Sequence, residues 1–418
     1  MVQHNVLIVG GGARESALGL AFRRAPSVDR VYVAPGNQAM KLLGLDPVPI
    51  AVDDFDRLLD FARGHVDLTF VGPEVPLVGG IVDAFMAAGQ QIFGPHQRLA
   101  QLEGSKGFAK AFMQRHGIPT ARSVVTHTLT EAQAAMREFG APVVVKADGL
   151  AAGKGVRVAA TIAEAEAALD GLYRQGADAT VVVEEYLTGQ EASVMTLFAG
   201  THFVTLPLSQ DHKRRFNGDA GPNTGGMGAI SPAPQFGATA AAEAQAIVQR
   251  TITGIHADGL DGCGVLYTGL MFTADGPRVL EYNVRLGDPE TQVLLPQIKD
   301  DLYVTITNLM AGQQPQLHLN GQTYSAVVLA HPGYPATSRP PLAFKVPATP
   351  ELGQWLPAAV EYGDNGWQSS GGRVATVVGA GDNIQTATKL VYQLVDQLAG
   401  ELAFREDIGY HALMEPVR

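Results

Sequence analysis

The chain has 418 residues, 46% of them hydrophobic and 17% charged, a composition typical of a globular protein with about two to four domains. Its net charge of −11 at pH 7 argues against nonspecific binding to nucleic acid or to an anionic membrane. Cys263 is the one cysteine, so no internal disulfide forms, and no apolar run reaches the about 18 residues of a membrane span. Because its start lacks a signal-peptide pattern, we expect a cytoplasmic protein.

The first hundred residues alternate short apolar runs with helical patterns such as ARESALGLAFRRA. Four runs end in a turn that carries glycine or proline: NVLIVGGG, RVYVAPGN, DLTFVGPE and QIFGPH. Strands and helices in alternation predict a parallel α/β sheet, and such sheets bind ligands at the carboxyl ends of their strands. Those ends carry residues 10–12, 35–37 and 72–74.

The glycine turn at residues 10–12 suggests a dinucleotide-binding fold, but two tests of that reading fail. Glu15 stands where the third glycine of the fingerprint belongs, and the second strand ends without the acidic residue that holds the ribose. The sequence therefore disfavours a nicotinamide oxidoreductase. A glycine turn at a helix N-terminus still suits a phosphate or a sugar phosphate.

From about residue 104 the pattern changes. A helix over GSKGFAKAFMQRHG leads to strand and helix segments that reach about residue 190. The strand ASVMTLFAG is followed by a loop rich in Gly, Pro, Asn and Asp that runs to residue 235, and loops of that length are usually functional. A helix over residues 238–259, a hairpin of GVLYTGLMFT and RVLEYNVRLG, and a smaller α/β unit over residues 325–418 complete the chain.

The stretch VVVKADGLAAGKGVRV, residues 143–158, places two lysines around small residues but is not a P-loop. Three residues, not four, separate Gly149 from Gly153, and no hydroxyl residue follows Lys154. Lys146 ends an apolar strand, so its ammonium reaches past the strand end. Residues 147–155 predict a mobile flap whose backbone N–H groups close on phosphates, and the alternative is a plain flexible loop.

The stretch VLEYNVRLGDPETQ predicts a metal and anion site. In a strand, alternate side chains face the same side, so Glu281, Asn283 and Arg285 share one face. A carboxylate and an amide oxygen suit Mg²⁺ bound to nucleotide phosphates, and the planar Arg285 guanidinium suits an anion. The alternative is an edge strand with a solvated polar face.

Two further stretches suit nucleotide and anion binding. VVVEEYLTGQEAS ends a buried strand in an edge that can meet adenine through its backbone, with Glu191 placed for a ribose. SQDHKRRFNGDAGPNTGGMGAISP sets three cations, residues 213–215, between Asp211 and Asp219, which predicts a clamp for an anionic substrate and a γ-phosphate. The alternative for the first stretch is a solvated acidic turn, and the alternative for the second is a solvated charged face.

Together these stretches resemble the ATP-grasp ligases and, among them, the phosphoribosylamine–glycine ligase (glycinamide ribonucleotide synthetase) family, over essentially the whole chain. VGPEVPLVGGIVDAF, LEGSKGFAKAFM, GPNTGGMG, NVRLGDPETQ and SSGGRVATVV carry the resemblance, and NVRLGDPETQ and GPNTGGMG are highly specific to it. Four residues depart from those usual in that family: Ala13 for glycine, Ser16 for histidine, Asn217 for aspartate and Leu286 for phenylalanine.

The resemblance implies an α/β protein of three parts. These are an N-terminal parallel-sheet, Rossmann-like (pre-ATP-grasp) domain, residues 1–103, a central ATP-grasp domain, residues 104–324, and a small C-terminal α/β domain, residues 325–418. A mobile lid subdomain would span about residues 122–192 of the central domain.

The resemblance also implies the activity. The expected enzyme joins glycine to 5-phosphoribosylamine through a glycyl phosphate, giving glycinamide ribonucleotide, ADP and phosphate in de novo purine biosynthesis. The alternative is another ATP-grasp carboxylate–amine ligase with a different acid substrate. We expect small-molecule substrates, ATP as co-substrate, Mg²⁺ or Mn²⁺ as cofactor, no nucleic acid or membrane partner, and a monomer or weak homodimer.

The family's functional residues map onto this sequence position by position. The resemblance assigns ATP binding to Lys106, Lys146, Gly153, Lys154, Glu184, Glu185, Leu187 and Glu191. It assigns phosphoribosylamine binding to Gly10, Gly12, Arg14, Asn37 and Glu74. The candidates around glycine and its activated carboxylate are Asp211, Lys213, Arg285 and Asp288. The metal ligands would be Glu281 and Asn283.

Overall fold

The computed structural model has the α/β architecture that the sequence predicts. It describes residues 3–150, 155–175, 179–336, 340–346, 354–364 and 366–413. Gly153 and Lys154, which the sequence places at the phosphates, lie outside the described residues. In the part of the chain that the structure describes, no helix is long and apolar enough to cross a membrane.

Five parallel strands form the N-terminal sheet in the order β3-β2-β1-β4-β5. The strands are β1 (His4–Gly10), β2 (Val28–Pro35), β3 (Asp46–Pro47), β4 (Leu68–Val71) and β5 (Ile92–Phe93). The helices beside them are α1 (Ala13–Arg24), α2 (Phe55–His65), α3 (Glu74–Gly79) and α4 (Ile81–Ala87), with a 3₁₀ turn at Gln38–Leu43. Central β1 is buried from Val6 onward, as expected for a parallel strand covered on both faces.

The segment predicted to form the lid, called the lid below, contains a four-stranded sheet with its own apolar core. Helices α5 (Gln101–Gly104) and α6 (Lys106–Arg115) lead into it. Its elements are β6 (Ser123–Thr126), α7 (Leu129–Phe139), β7 (Val143–Ala147), β8 (Val156–Ala159), α8 (Ile162–Gln175) and β9 (Val181–Glu185), with strand order β6-β9-β7-β8. One cluster of buried side chains, including Met136, Val145 and Leu169, packs entirely within these elements. The lid thus has the packing of a separate subdomain.

The loop predicted after ASVMTLFAG is largely structured. Strands β10 (Gln190–Ala199) and β11 (His202–Thr205) are followed by β12 (Gln210–Asp211), β13 (Arg214–Phe216), β14 (Ala220–Asn223) and β15 (Gly228–Ser231). β13 pairs with β14 in a hairpin that turns through a 3₁₀ segment at Asn217–Asp219. The prediction of a long loop was wrong here. β14 is exposed throughout, so its sequence lacks the apolar alternation of a half-buried strand, and the more buried β12 and β15 have only two and four residues.

The expected helix and hairpin complete the central sheet. Helix α9 (Ala238–Ala257) precedes the antiparallel pair β16 (Cys263–Thr273) and β17 (Gly276–Asn283). The central sheet has the order β11-β10-β16-β17. Short helices α10 (Thr291–Leu294) and α11 (Leu302–Met310) and a 3₁₀ turn at Leu295–Gln297 follow.

The C-terminal part is built around an antiparallel sheet of order β12-β15-β18-β22-β19. Its remaining elements are β18 (Thr323–Ala330), β19 (Trp355–Pro357), the hairpin of β20 (Val360–Gly363) and β21 (Gly366–Ser369), β22 (Arg373–Gly381), α12 (Ile384–Leu398) and a 3₁₀ turn at Tyr410–Leu413. Strands β12 and β15 come from the central region of the chain and pair directly with this sheet. The sheet therefore spans both sides of the predicted boundary at residue 324.

Asp301 joins the N-terminal sheet to α11. Its carboxylate caps α11 by accepting the Val304 N–H at 3.1 Å. The same carboxylate accepts the backbone N–H and the hydroxyl of Ser27, at 3.0 and 2.9 Å, just before β2. One side chain thus satisfies donors of two separate elements.

Replacing Asp301 by Ala removes a helix cap and two contacts to Ser27. We expect the free energy of unfolding to fall by about 2–3 kcal/mol, measured by urea unfolding with circular dichroism. The matched control is Asp54→Ala, because Asp54 caps α2 through Arg57 within its own helix and should cost about 1 kcal/mol. Equal losses in the two variants would show that the Ser27 contacts contribute nothing.

Candidate active site

A cavity of about 500 Å³ lies among the N-terminal sheet, the lid and the central sheet. Residues of all three parts and of the C-terminal sheet line it. The predicted site residues in its wall are Arg14, Glu74, Lys106, Lys146, Glu184, Glu185, Leu187, Glu191, Asp211, Lys213, Glu281, Asn283, Arg285 and Asp288. Most of the residues that the sequence singles out are therefore brought to one place.

Three predicted residues, Gly10, Gly12 and Asn37, do not line this cavity. Gly12 lies beside it, since a Cβ atom there would be 3.9 Å from Asp288 Oδ2. The Asn37 amide donates to the carbonyls of Gly11 and Ala358 at 3.0 Å each. Its oxygen accepts the N–H of residue 39 at 3.1 Å. Asn37 thus holds the glycine turn against the C-terminal part.

The glycine turn of the N-terminal sheet is filled by the Glu15 carboxylate. Glu15 accepts the Gly12 N–H at 2.7 Å and pairs with Arg14 at 2.6 Å. A Cβ atom at Gly10 or Gly72 would overlap that carboxylate. Glu15 stands where the dinucleotide fingerprint has its third glycine, and its side chain packs against the turn, so the geometry agrees with the sequence in disfavouring a nicotinamide-binding fold.

Two of the four departures from the resembled family have structural partners here. The Ser16 hydroxyl donates to the Pro357 carbonyl at 2.7 Å, which ties α1 to β19. Leu286 is buried in an apolar core cluster, so it occupies an environment that also suits phenylalanine. Neither residue lines the cavity.

Glu184, at the end of β9, is held between two lysines. It pairs with Lys146 at 2.9 Å and with Lys110 at 3.2 Å, and all three side chains are buried. Burial lowers the pKa of Lys110 to about 8, although Glu184 opposes that shift. The backbone of Glu184 pairs with β6 and β7 on its two sides, which fixes the position of this residue in the wall.

The flap that the sequence predicts is attached to α6 at one end. The Asp148 carboxylate accepts the backbone N–H groups of Lys106 and Gly107 at the helix N-terminus. The Lys106 ammonium in turn donates to the Gly149 carbonyl at 2.9 Å. A carboxylate at a helix N-terminus is stabilised by the helix dipole, so these contacts fix the start of the flap.

Glu281 and Asn283 end β17 and face the cavity together. The Tyr282 hydroxyl hydrogen bonds to Thr251 of α9 at 2.8 Å, so the end of this side chain is directed toward α9. The described residues contain no group of three or more His, Cys, Asp or Glu side chains that could hold a metal. A metal at this wall would thus depend on few protein oxygens, as Mg²⁺ bound to nucleotide phosphates commonly does.

Arg285 lies just beyond β17 and joins two parts of the protein. Its guanidinium pairs with Glu74 and Glu103 at 3.3 Å each and donates to Asn283 Oδ1 at 3.1 Å. Burial lowers the pKa of Arg285, but Glu103 and Glu74 outweigh it and raise that pKa overall. The predicted anion-binding fork is therefore already engaged by two carboxylates and an amide.

Lys213 and Glu191, assigned by the resemblance to different ligands, form an ion pair of 2.9 Å. Lys213 lowers the pKa of the Glu191 carboxyl. Next to this pair, burial and the neighbouring Glu290 raise the pKa of Asp211 well above its usual range. Cations and carboxylates thus alternate along this wall.

Asp288 is held by an arginine of the C-terminal sheet. Arg373, at the start of β22, pairs with Asp288 Oδ2 at 3.0 Å and donates to its carbonyl at 2.6 Å. The same guanidinium donates to the Gly225 carbonyl at 2.6 Å. Arg373 therefore connects the C-terminal part to two loops of the cavity wall.

Four charged residues of the cavity wall were not predicted: Glu103, Lys110, Glu290 and Arg373. Lys110 stands four residues after Lys106, which is the spacing of one helix face and could have identified it. Glu103 and Arg373 lie inside motifs that the sequence singles out, but their orientation depends on contacts with distant residues.

The chain matches three family models in succession. Residues 4–103 match the phosphoribosylglycinamide synthetase N domain, residues 104–291 the ATP-grasp (A) domain and residues 324–411 the C domain.

Curated relatives match over nearly the whole chain. A phosphoribosylamine–glycine ligase of Lactococcus lactis is 42% identical over 98% of this chain and 100% of its own length. A protein of the same name from Ralstonia nicotianae is 46% identical, with 98% and 99% covered.

Solved structures agree in fold. The crystal structure of a phosphoribosylamine–glycine ligase from Thermotoga maritima has a TM-score of 0.84 and 32% identity, and covers 97% of this chain and 100% of that one. A biotin carboxylase from Campylobacter jejuni, at 15% identity and a TM-score of 0.72 over 96% and 92% of the two chains, shares the fold alone. The family models, the curated relatives and the Thermotoga maritima structure together match this chain over nearly its whole length. The chain therefore belongs to the phosphoribosylglycinamide synthetase family.

Proposed function

We propose that this chain joins glycine to 5-phosphoribosylamine with ATP, through a glycyl phosphate, to give glycinamide ribonucleotide, ADP and phosphate. One observation carries the proposal: a single cavity is lined by the glycine-turn side of the N-terminal sheet, by the lid and by the end of β17. Such a cavity suits two substrates and a nucleotide that must react in one place.

The ATP would lie between the lid and the central sheet. Lys106 and Lys146 would face its phosphates, Glu184, Glu185 and Leu187 would border the adenine, and Glu191 would take the ribose. The ion pairs of Glu184 with Lys146 and of Glu191 with Lys213 support this placement, because they hold the four side chains in fixed orientations at the cavity wall. Gly153 and Lys154 belong to the same proposal and lie outside the described residues.

Glu281 and Asn283 would hold Mg²⁺ or Mn²⁺. Their hard oxygen donors share one wall of the cavity, which fits a cation that phosphates also bind. When bound, the cation would neutralise charge on the transferring phosphoryl group. Arg285 donates to Asn283 Oδ1, so it fixes which atom of the amide faces the cavity.

The reaction needs positioning and charge neutralisation more than a protein nucleophile. The glycine carboxylate would attack the γ-phosphorus, with ADP as the leaving group. The amine nitrogen of phosphoribosylamine would then attack the acyl carbon, phosphate would leave with the C–O electrons, and the nitrogen would lose a proton. Asp211, Lys213, Arg285 and Asp288 would surround glycine, and the N-terminal residues Gly10, Gly12, Arg14, Asn37 and Glu74 would orient phosphoribosylamine. Closure of the flap would protect both labile compounds from water.

We expect ADP release from ATP and Mg²⁺ to require both glycine and phosphoribosylamine, the latter formed in place from ribose 5-phosphate and ammonia. Mass spectrometry should detect the matching amide in equal amount. ADP release that requires phosphoribosylamine but accepts another acid in place of glycine would favour a different ATP-grasp ligase. ADP release that depends on neither substrate would contradict the proposal.

Replacing Glu281 by Ala removes one proposed metal ligand, so we expect turnover to fall at least about 100-fold with the fold retained. Steady-state rates at saturating Mg²⁺ and circular dichroism would measure both. The control is Asp275→Ala, which removes an exposed carboxylate at the other end of the same hairpin. Turnover of Glu281→Ala within about tenfold of the original would contradict the metal assignment.

The lowered pKa of Lys110, about 8, predicts a pH dependence of nucleotide binding. Below pH 8 Lys110 is charged; above it the charge is lost and the cavity becomes less positive. We therefore expect the dissociation constant of ADP to rise between pH 7 and pH 9 by about threefold or more, measured by calorimetry. Lys110→Met should bind weakly and without this change, whereas the control Lys389→Met, at an exposed position of α12, should retain it. The same pH dependence in Lys110→Met would refute the role of Lys110.

A further inference from the structure

The hairpin of β13 and β14 lies next to the cavity but buries little apolar surface. It follows Lys213 directly and leads into Thr224 and Gly225, which all line the cavity. All four residues of β14 are exposed, and so are two of the three in β13. Burial of apolar side chains therefore contributes little to its position, and polar contacts must hold it.

Arg215 of β13 supplies one such contact by donating to the Tyr334 carbonyl at 2.9 Å, and a set of residues near the C-terminus supplies several more. Arg405 has no exposed surface, and its guanidinium pairs with Asp219 at 2.8 Å and with both oxygens of Asp407 at 2.8 Å. It also donates to the carbonyl of Arg214 in β13 at 3.1 Å. A buried guanidinium is costly unless it is fully paired, so this geometry is strongly specified.

The turn of the hairpin is held by the same segment. Tyr410 and His411 both contact Asp219 Oδ2 at 2.8 Å, and the hydrogen bond from His411 is the main cause that lowers the pKa of Asp219 below its usual range. The Gly218 N–H donates to Asp407 at 2.7 Å. We call Asp219, Arg405, Asp407, Tyr410 and His411 the C-terminal clasp.

Asn217, where the resembled family has aspartate, also fits this arrangement. Its amide oxygen accepts the Glu406 N–H at 3.0 Å, and its NH₂ group donates to the Glu406 carboxylate at 3.4 Å. An aspartate there would lose the donor and face a second carboxylate. Asparagine at position 217 therefore suits the neighbouring Glu406 better than aspartate would.

The clasp segment contacts both neighbours of Lys213. On one side, His212 Nε2 accepts the Gly409 N–H at 3.1 Å. On the other side, the Arg214 carbonyl accepts from Arg405. Between them, Lys213 extends its ammonium to Glu191. The backbone that carries Lys213 is therefore fixed on each side by residues near the C-terminus.

We propose that Arg405 and Asp219 are positioning residues for the ligation: by clasping the hairpin they fix Lys213 where it acts on the activated carboxylate. The proposal rests on the proposed function and adds a role for the C-terminal segment. Neither residue lines the cavity, so both act through Lys213 and not by touching a substrate.

A double-mutant cycle separates positioning from simple loss of structure. Asp219→Asn is conservative, because the side chain is 36% exposed and the amide keeps an acceptor for Tyr410. We expect it to lower kcat about tenfold or more in the original chain but less than about twofold in a Lys213→Met background. A loss by the same factor in both backgrounds would overturn the proposal, as would no loss at all.

Asp258→Asn is the matched control. Asp258 is bound by Arg115 at 2.6 Å and by His116 at 2.9 Å, the same partner types that Asp219 has, at a place outside the cavity wall. We expect its kcat to stay within about twofold of the original. A tenfold loss in this variant as well would show that any ion pair of this kind affects turnover, and would overturn the specific role of Asp219.

Limited trypsin digestion tests the clasp without using activity. Loss of the Asp219 charge should speed cleavage after Arg214 about fivefold or more, quantified by mass spectrometry, with no such change in Asp258→Asn. Unchanged cleavage in Asp219→Asn would overturn the proposal. If the original chain makes no amide from glycine and phosphoribosylamine, the proposed function fails, and this cleavage rate still decides whether the clasp holds the hairpin.

Discussion

The partly buried guanidinium of Arg285 makes the contacts on which the arrangement of the cavity most depends. It lies where β17 ends and pairs with Glu74, at the carboxyl end of β4, and with Glu103, before α6. Because these charges lose most of their contact with water where the N-terminal sheet and the central sheet meet, each is stabilised by an oppositely charged partner there. The orientation of Asn283 follows from the same guanidinium.

Other charged groups of the cavity follow the same principle. Lys146 is paired with Glu184, Lys213 with Glu191 and Arg373 with Asp288, each at about 3 Å. In a cavity lined only by cationic side chains, those side chains would attract phosphates, but they would repel one another while no phosphate is bound. Pairing with carboxylates lowers this repulsion and holds each ammonium or guanidinium in one orientation. In return, a bound phosphate must lie near the negative charge of those carboxylates.

The sequence predicted the parallel sheet, the lid strands, α9 and the β16–β17 hairpin because each has a clear apolar period or turn. It also predicted most of the cavity wall, through short motifs such as EYNVRLGDPETQ. It missed β13 and β14 because mostly exposed strands carry no apolar pattern, and it missed β15 because four residues are too few to show one. It missed the pairing of Arg285 with Glu103 and of Asp288 with Arg373 because residues far apart in sequence meet only through the fold. Periodicity describes the face of one element, whereas these contacts depend on how several elements pack.

The sheet that contains β15 is built from strands that are far apart in the sequence, and this affects how the chain folds during its synthesis. β15 pairs with β18, which begins at Thr323, and β18 pairs with β22, which ends at Gly381. During translation the segment with Asp211 and Lys213 therefore leaves the ribosome long before its partner strands do. N-terminal elements can fold while synthesis continues, but this wall of the cavity acquires its neighbours only when the last part of the chain emerges. A nascent chain that stalls before that point would expose an unpaired strand edge and would have no complete cavity.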